Sequence, residues 1–221
     1  MVEIGMDYSQ ITSLPNLISL SRVAMIPLVG YYLSRDDTTS MLISALFVIL
    51  AGVSDGLDGY LARRLGKISR LGVMLDPLAD KLFAAGLIIL LVFYRNLPIW
   101  LAATIVGRDL LIIGLGAVLM RGREIDLPSN LIGKYAFASI AMLIGCYVIR
   151  FDFGAELFTW LTLVLLIASS VGYAQVMLAV RGGGTPWRIV DRPLYRNLRI
   201  IGCVAIWIAL IYKLYFLILT W

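Results

Sequence analysis

Six apolar runs of spanning length recur along the chain, at about residues 15 to 33, 41 to 62, 72 to 94, 98 to 120, 131 to 149 and 156 to 180. Each is close to the ~20 residues that carry a helix across the hydrocarbon core of a bilayer. Lipid offers a backbone no hydrogen-bond partner, so such runs fold as helices that satisfy their own amides. The expected fold is all-α, a polytopic membrane helix bundle with six core transmembrane helices. A further run, about 199 to 221, is long enough to add a seventh at the C-terminus. Residues 1 to 13 set Ile4, Tyr8 and Ile11 opposite Glu3, Asp7 and Ser9, as a short interfacial helix lying on the membrane would. The composition agrees, with 61% of residues apolar against roughly half in soluble domains. The N-terminus has neither the basic patch nor the cleavage site of a signal peptide, so its first residues are expected to be kept.

Orientation follows from the Lys and Arg content of the connections. The second, fourth and sixth connections, counted with Lys134 and Arg199 at the edges of the following runs, carry twelve basic residues and the first, third and fifth carry three. That asymmetry puts the connection after the second run, with Arg63, Arg64, Lys67 and Arg70, in the cytoplasm. The glycines and proline at Gly182-Gly183-Gly184-Thr185-Pro186 end the sixth run. Residues 1–181 are therefore expected to form the transmembrane domain, and 182–221 a basic cytoplasmic connection followed by the extra hydrophobic segment. Net charge is +5, but its placement says more than its size, and no nucleic-acid partner is expected.

Four carboxylates flank the second connection. On a helix, Asp55, Asp58, Gly59, Ala62 and Arg63 fall on one face, and Gly72, Asp76 and Asp80 repeat at i, i+4 and i+8 on the next. Asp58 lies about five residues inside the cytoplasmic edge, roughly 8 Å at 1.5 Å per residue, at headgroup depth. Ionised carboxylates this near hydrocarbon are costly unless neutralised, and two divalent cations would cancel four negative charges. Oxygen-only ligands suit magnesium or manganese. Gly59, Ala62 and Gly72 leave room for a bulky group beside the metals, and Arg63 offers a forked donor to phosphate.

The chain contains no histidine, which removes imidazole bases, imidazole metal ligands and phosphohistidine chemistry together. Its two cysteines, Cys146 and Cys203, stand alone in apolar runs and are expected to pack rather than to pair or bind metal. Lys81 and Lys134 can reach the interface along their own stems. Arg108 sits deep in the fourth run beside Asp109, so it either pairs with that neighbour or faces a polar cavity, the cavity being favoured. Trp100, Trp160, Trp187 and Trp221 fall near span ends, as interface belts do.

Written as D-x2-D-G-x2-A-R-x8-G-x3-D-x3-D, the carboxylate stretch resembles the signature of the CDP-alcohol phosphotransferase family of integral membrane enzymes. All eight fixed positions are present: Asp55, Asp58, Gly59, Ala62, Arg63, Gly72, Asp76 and Asp80. The likeness extends to Leu14-Pro15-Asn16-Leu17 with Arg22, to the stretch from Leu75 to Lys81, and more loosely to Gly107-Arg108-Asp109 and Gly133-Lys134. It covers about residues 14 to 180. The resemblance implies transfer of a phosphatidyl group from CDP-diacylglycerol to an alcohol with release of CMP, at two divalent cations, Mg2+ or Mn2+. It implies that Asp55 and Asp76 bridge both metals, that Asp58 binds one, and that Asp80 is a ligand and the general base. Asn16, Ser19, Gly59, Arg63 and Ser69 match positions that contact the CDP donor in relatives.

The Leu14-Pro15-Asn16 and Leu75-to-Lys81 stretches look most like the phosphatidylglycerophosphate synthase branch. Its acceptor is the small phosphorylated alcohol glycerol 3-phosphate, whose phosphate Arg108 and Lys134 would bind. Gly107-Arg108-Asp109 also looks like the family's cardiolipin synthases, which use phosphatidylglycerol, and an inositol-phosphate acceptor is a third reading. The location implied is the inner membrane, multi-pass, with the active site facing the cytoplasm; a homodimer is among the assemblies such an enzyme can form. A divalent-cation transporter is the reading from another class, since acidic residues in spans also serve ion transport. Transporters, however, usually gather such ligands near the midplane.

Overall fold

The computed structural model describes residues 14–65, 70–119 and 131–181 together with Tyr212 and Tyr215. Within them it describes the side chains of residues 21–54, 79–114 and 131–175, of Leu178 and of the two tyrosines. Six helices run through these residues: α1 (Leu14–Leu33), α2 (Thr38–Leu65), α3 (Arg70–Arg95), α4 (Ile99–Leu119), α5 (Leu131–Val148) and α6 (Asp152–Arg181). Among the described residues there is no strand. Each helix coincides with one of the six apolar runs. Among the described residues, Leu131–Val148 and Asp152–Gln175 are long and apolar enough to cross a membrane. The N-terminal interfacial helix, Ser69, the connection after residue 181 and, apart from Tyr212 and Tyr215, the seventh segment lie outside the described residues.

The chain divides into two compact units, Met1–Val106 and Gly107–Trp221. In the first, α1 packs against both α2 and α3. Only residues 34–37 separate α1 from α2, so the two run antiparallel, and Tyr32 stacks on Phe47 at 6.0 Å between ring centres. Asp37 caps α2: its Oδ2 accepts the Ser40 backbone N–H at 2.8 Å. That N–H, and then the Ser40 hydroxyl, hold the Asp37 carboxyl below its ordinary 3.8. The cap's contribution is thus complete above the ordinary value and is lost as pH falls through the lower, folded one.

Between α1 and α3, Arg22 meets Asp80, Ile26 meets Gly86 and Gly30 meets Leu90. The partners advance together along both helices, so α1 and α3 run parallel. Small residues let them close: a Cβ on Gly86 would lie 2.8 Å from Ile26 Cδ1, and one on Gly30 3.0 Å from Leu90 Cδ2. Beyond α3 the chain turns at Asn96, with φ of 55°, a left-handed conformation that asparagine tolerates better than most residues.

In the second unit α5 packs on α6. Helix α5 ends in a left-handed cap: Arg150 has φ of 53°, Phe151 N–H donates to Cys146 C=O at 2.8 Å and Arg150 N–H to Tyr147 C=O at 3.4 Å. The chain so reverses that α6 returns antiparallel. A buried hydrogen bond at 2.7 Å joins the hydroxyls of Ser139 and Thr162 across the pair. Cys146 is buried and free, as its packing role requires.

Candidate active site

Parallel α1 and α3 with antiparallel α2 bring three helix ends to one end of the first unit: the start of α1, the end of α2 and the start of α3. Asn16 and Ser19 lie in the first turns of α1, Asp55, Asp58, Gly59 and Arg63 in the last turns of α2, and Asp76 and Asp80 in the first turns of α3. The side chains of Asn16, Ser19, Asp55, Asp58, Arg63 and Asp76 fall outside those described. Of the four aspartates, Asp80 alone has a described side chain.

That side chain is not isolated. Arg22 Nη1 donates to Asp80 Oδ1, in an ion pair whose side chains are 3% and 29% exposed respectively. The cause is legible in α1, which contains no acidic residue of its own. A guanidinium within an apolar helix is costly unless another helix supplies its counter-charge. Sequence reasoning named Arg22 only beside the Leu14-Pro15-Asn16-Leu17 stretch of the resemblance and missed this partner. The signal was there: an arginine on a helix without acids, six residues after Asn16.

The donor set fits a hard divalent cation. It consists of carboxylates alone, two from the end of α2 and two from the start of α3, on helices whose adjoining ends are four residues apart.

A second polar cluster lies in the second unit. Arg108 on α4 donates through Nη1 to Asp109 Oδ1 at 2.7 Å and through Nη2 to Ser169 Oγ at 2.5 Å. Its guanidinium carbon stands 5.4 Å from the centre of the Tyr173 ring. Gly133 on α5 closes the cluster, because a Cβ there would lie 3.5 Å from Arg108 Nη2, Ser169 Oγ and Tyr173 OH alike. Arg108 thus pairs with its neighbour, and on its other side it meets the polar groups of Ser169 and Tyr173 on α6. Its Nε is buried and, among the described residues, has no hydrogen-bond partner. Lys134, next to Gly133, is exposed. Sequence reasoning missed Ser169 and Tyr173, which sit in an apolar run with no motif to mark them.

Comparison with known proteins bears on the same residues. A 127-residue stretch is 37% identical to a probable CMP-forming cardiolipin synthase of Drosophila melanogaster, covering 57% of this chain and 38% of that protein. The chain thus spans well under half the length of that relative. Over 134 residues it is 34% identical to the CDP-diacylglycerol–glycerol-3-phosphate 3-phosphatidyltransferase of Bacillus subtilis, covering 55% of this chain and 69% of the relative. The Aquifex aeolicus protein of the same name is 31% identical over 170 residues, which cover 73% of this chain and 93% of its own. A family model, CDP-alcohol phosphatidyltransferase, matches residues 12–171, which include every candidate site residue and parts of both compact units. On that match, and on the near-complete coverage of the Aquifex relative, the chain belongs to the CDP-alcohol phosphatidyltransferase family.

Proposed function

We propose that this protein transfers a phosphatidyl group from CDP-diacylglycerol to glycerol 3-phosphate, releasing CMP. The observation that carries the reading is the complete eight-residue carboxylate pattern inside a family match that runs from residue 12 to 171. The relatives named for glycerol 3-phosphate, one of them aligned over 93% of its length, favour that acceptor. The Drosophila relative keeps phosphatidylglycerol, and so a cardiolipin synthase, as the second reading.

Asp55, Asp58, Asp76 and Asp80 would hold two divalent cations, Mg2+ or Mn2+. When bound, these neutralise the donor's diphosphate and polarise the phosphorus under attack. Arg63, with Asn16, Ser19, Gly59 and Ser69, binds and orients the CDP moiety, the guanidinium serving as a forked donor to phosphate. Arg108 and Lys134 hold the acceptor's phosphate. Asp80 accepts the proton of the acceptor hydroxyl while the new O–P bond forms and the bond from phosphorus to the CMP oxygen breaks. The released CMP carries away the electron pair of that bond.

The setting is a multi-pass inner-membrane helix bundle of six core spans and a seventh at the C-terminus, its site facing the cytoplasm. Residues 1–181 form the transferase domain, 182–221 form the basic connection and final segment, and two copies can assemble as a dimer. Large apolar side chains on the surface support immersion in lipid: Phe93 is 75% exposed, Ile99 74%, Phe153 72% and Leu178 70%. The basic asymmetry of the connections supports the orientation. Sealed vesicles test acceptor and orientation together. Inside-out vesicles should form phosphatidylglycerophosphate from added glycerol 3-phosphate, and right-side-out vesicles should not. Cardiolipin made from phosphatidylglycerol, with no product from glycerol 3-phosphate, would replace the first reading by the second.

A further inference from the structure

The Arg108 cluster contains one hydroxyl with no role in the proposed transfer. Arg108 donates through Nη1 to Asp109 and through Nη2 to Ser169, and a guanidinium, with five N–H donors, has others to offer a ligand. The Tyr173 ring lies against that guanidinium at 5.4 Å, yet among the described residues its hydroxyl makes no hydrogen bond. A half-buried phenol ordinarily finds a partner. The fold also sets where this hydroxyl stands. Tyr173 follows Ser169 by one turn of α6, and Gly133 of α5 meets them both. A Cβ on Gly133 would be 3.5 Å from Tyr173 OH and 3.5 Å from Arg108 Nη2. Glycine there leaves the two donors close to one point, with no side chain from its own position over them. Lys134, the next residue, is exposed. All of these residues belong to the second unit.

We propose that Tyr173 is a specificity-determining residue that restricts the acceptor to phosphate monoesters: its hydroxyl donates to a terminal phosphate oxygen next to the one that Arg108 takes. This rests on the proposed transfer to glycerol 3-phosphate, in which Arg108 and Lys134 hold that phosphate. Discrimination follows from the chemistry of the ester. A phosphate monoester has an unesterified oxygen for each of Arg108, Lys134 and Tyr173. The diester of phosphatidylglycerol has one fewer, so one donor is left facing an ester oxygen, a poor acceptor. A site built to hydrogen-bond a group rejects the analogue that lacks it. The competing account gives Tyr173 its ring alone, as a plate on which the guanidinium rests.

Tyr173→Phe separates the two, because it keeps the ring and removes only the hydroxyl. On the purified full chain, read as CMP release from CDP-diacylglycerol, it should raise the KM for glycerol 3-phosphate about 10-fold, the loss of one hydrogen bond to a charged group. Both kcat and the KM for CDP-diacylglycerol should change less than about threefold, the signature of lost acceptor binding alone. The methyl ester of glycerol 3-phosphate keeps the glycerol hydroxyls, has one unesterified oxygen fewer and serves as the competitor. The wild-type protein should bind it about 10-fold more weakly than glycerol 3-phosphate, and Tyr173→Phe should weaken it less than about threefold further. Gly133→Ala is the second variant. Its methyl group fits at ordinary contact distance but covers both donors, so the KM for glycerol 3-phosphate should again rise about 10-fold. An unchanged KM for glycerol 3-phosphate in either variant would overturn the assignment. So would a methyl ester bound as tightly as the monoester by the wild-type protein, or equal weakening of the two by Tyr173→Phe. Wild-type formation of phosphatidylglycerophosphate establishes the transfer independently, so failure at Tyr173 and failure of the reaction are told apart.

Discussion

Asp80→Asn is expected to lower turnover by about 10²- to 10⁴-fold, the usual contribution of a positioned general base, while CDP-diacylglycerol still binds. The amide keeps an oxygen that can accept from Arg22 and face a cation, so residue 80 keeps a polar contact there while the proton acceptor and the counter-charge of Arg22 are both lost. Asp55→Asn should behave differently. As a carboxylate proposed to bridge two cations, it removes negative charge from both at once, and donor binding and turnover should fall together. Donor binding is followed by magnesium-dependent protection of the solubilised protein against heat. A ligand at 100 times its Kd stabilises by about 2.7 kcal/mol, enough to read as a clear shift in Tm. Asp80→Asn should keep that shift and Asp55→Asn should lose it. Equal loss in both would make Asp80 chiefly a metal ligand, with the proton going elsewhere, and full activity in Asp80→Asn would remove it from the mechanism.

The second large effect lies in the other unit. Arg108→Gln should raise the KM for glycerol 3-phosphate by about 10- to 100-fold, which corresponds to losing one charge-assisted hydrogen bond to phosphate. Donor affinity should stay within about threefold, because donor and acceptor are proposed to be bound by different residues. Lys134→Gln should act in the same direction. An unchanged acceptor KM in both variants would leave Arg108 as a helix-packing group satisfied by Asp109, Ser169 and Tyr173.

The six helices were legible in the sequence because their signal is local. Each apolar run is long enough to state its own structure. The carboxylate pattern was legible for the same reason, since its spacing is read along two helices joined in sequence. The partner of Arg22 was not. It depends on α1 and α3 running parallel in close contact, which small residues at Gly30 and Gly86 permit but no motif declares. The surroundings of Arg108 were legible only in part. Asp109 is adjacent in sequence, but Ser169 lies 61 residues away and enters through the reversal of α5 into α6, made by a left-handed Arg150 where glycine would be the usual choice.

The reaction itself is tested most directly by CMP release from CDP-diacylglycerol by the purified wild-type protein, with glycerol 3-phosphate and magnesium each present or withheld. The account predicts stoichiometric CMP and phosphatidylglycerophosphate with both present, almost none without the acceptor, and none after chelation until a divalent cation is restored. No CMP with any alcohol acceptor, from protein that nonetheless carries divalent cations across sealed vesicles, would contradict it and make the aspartates those of a transporter.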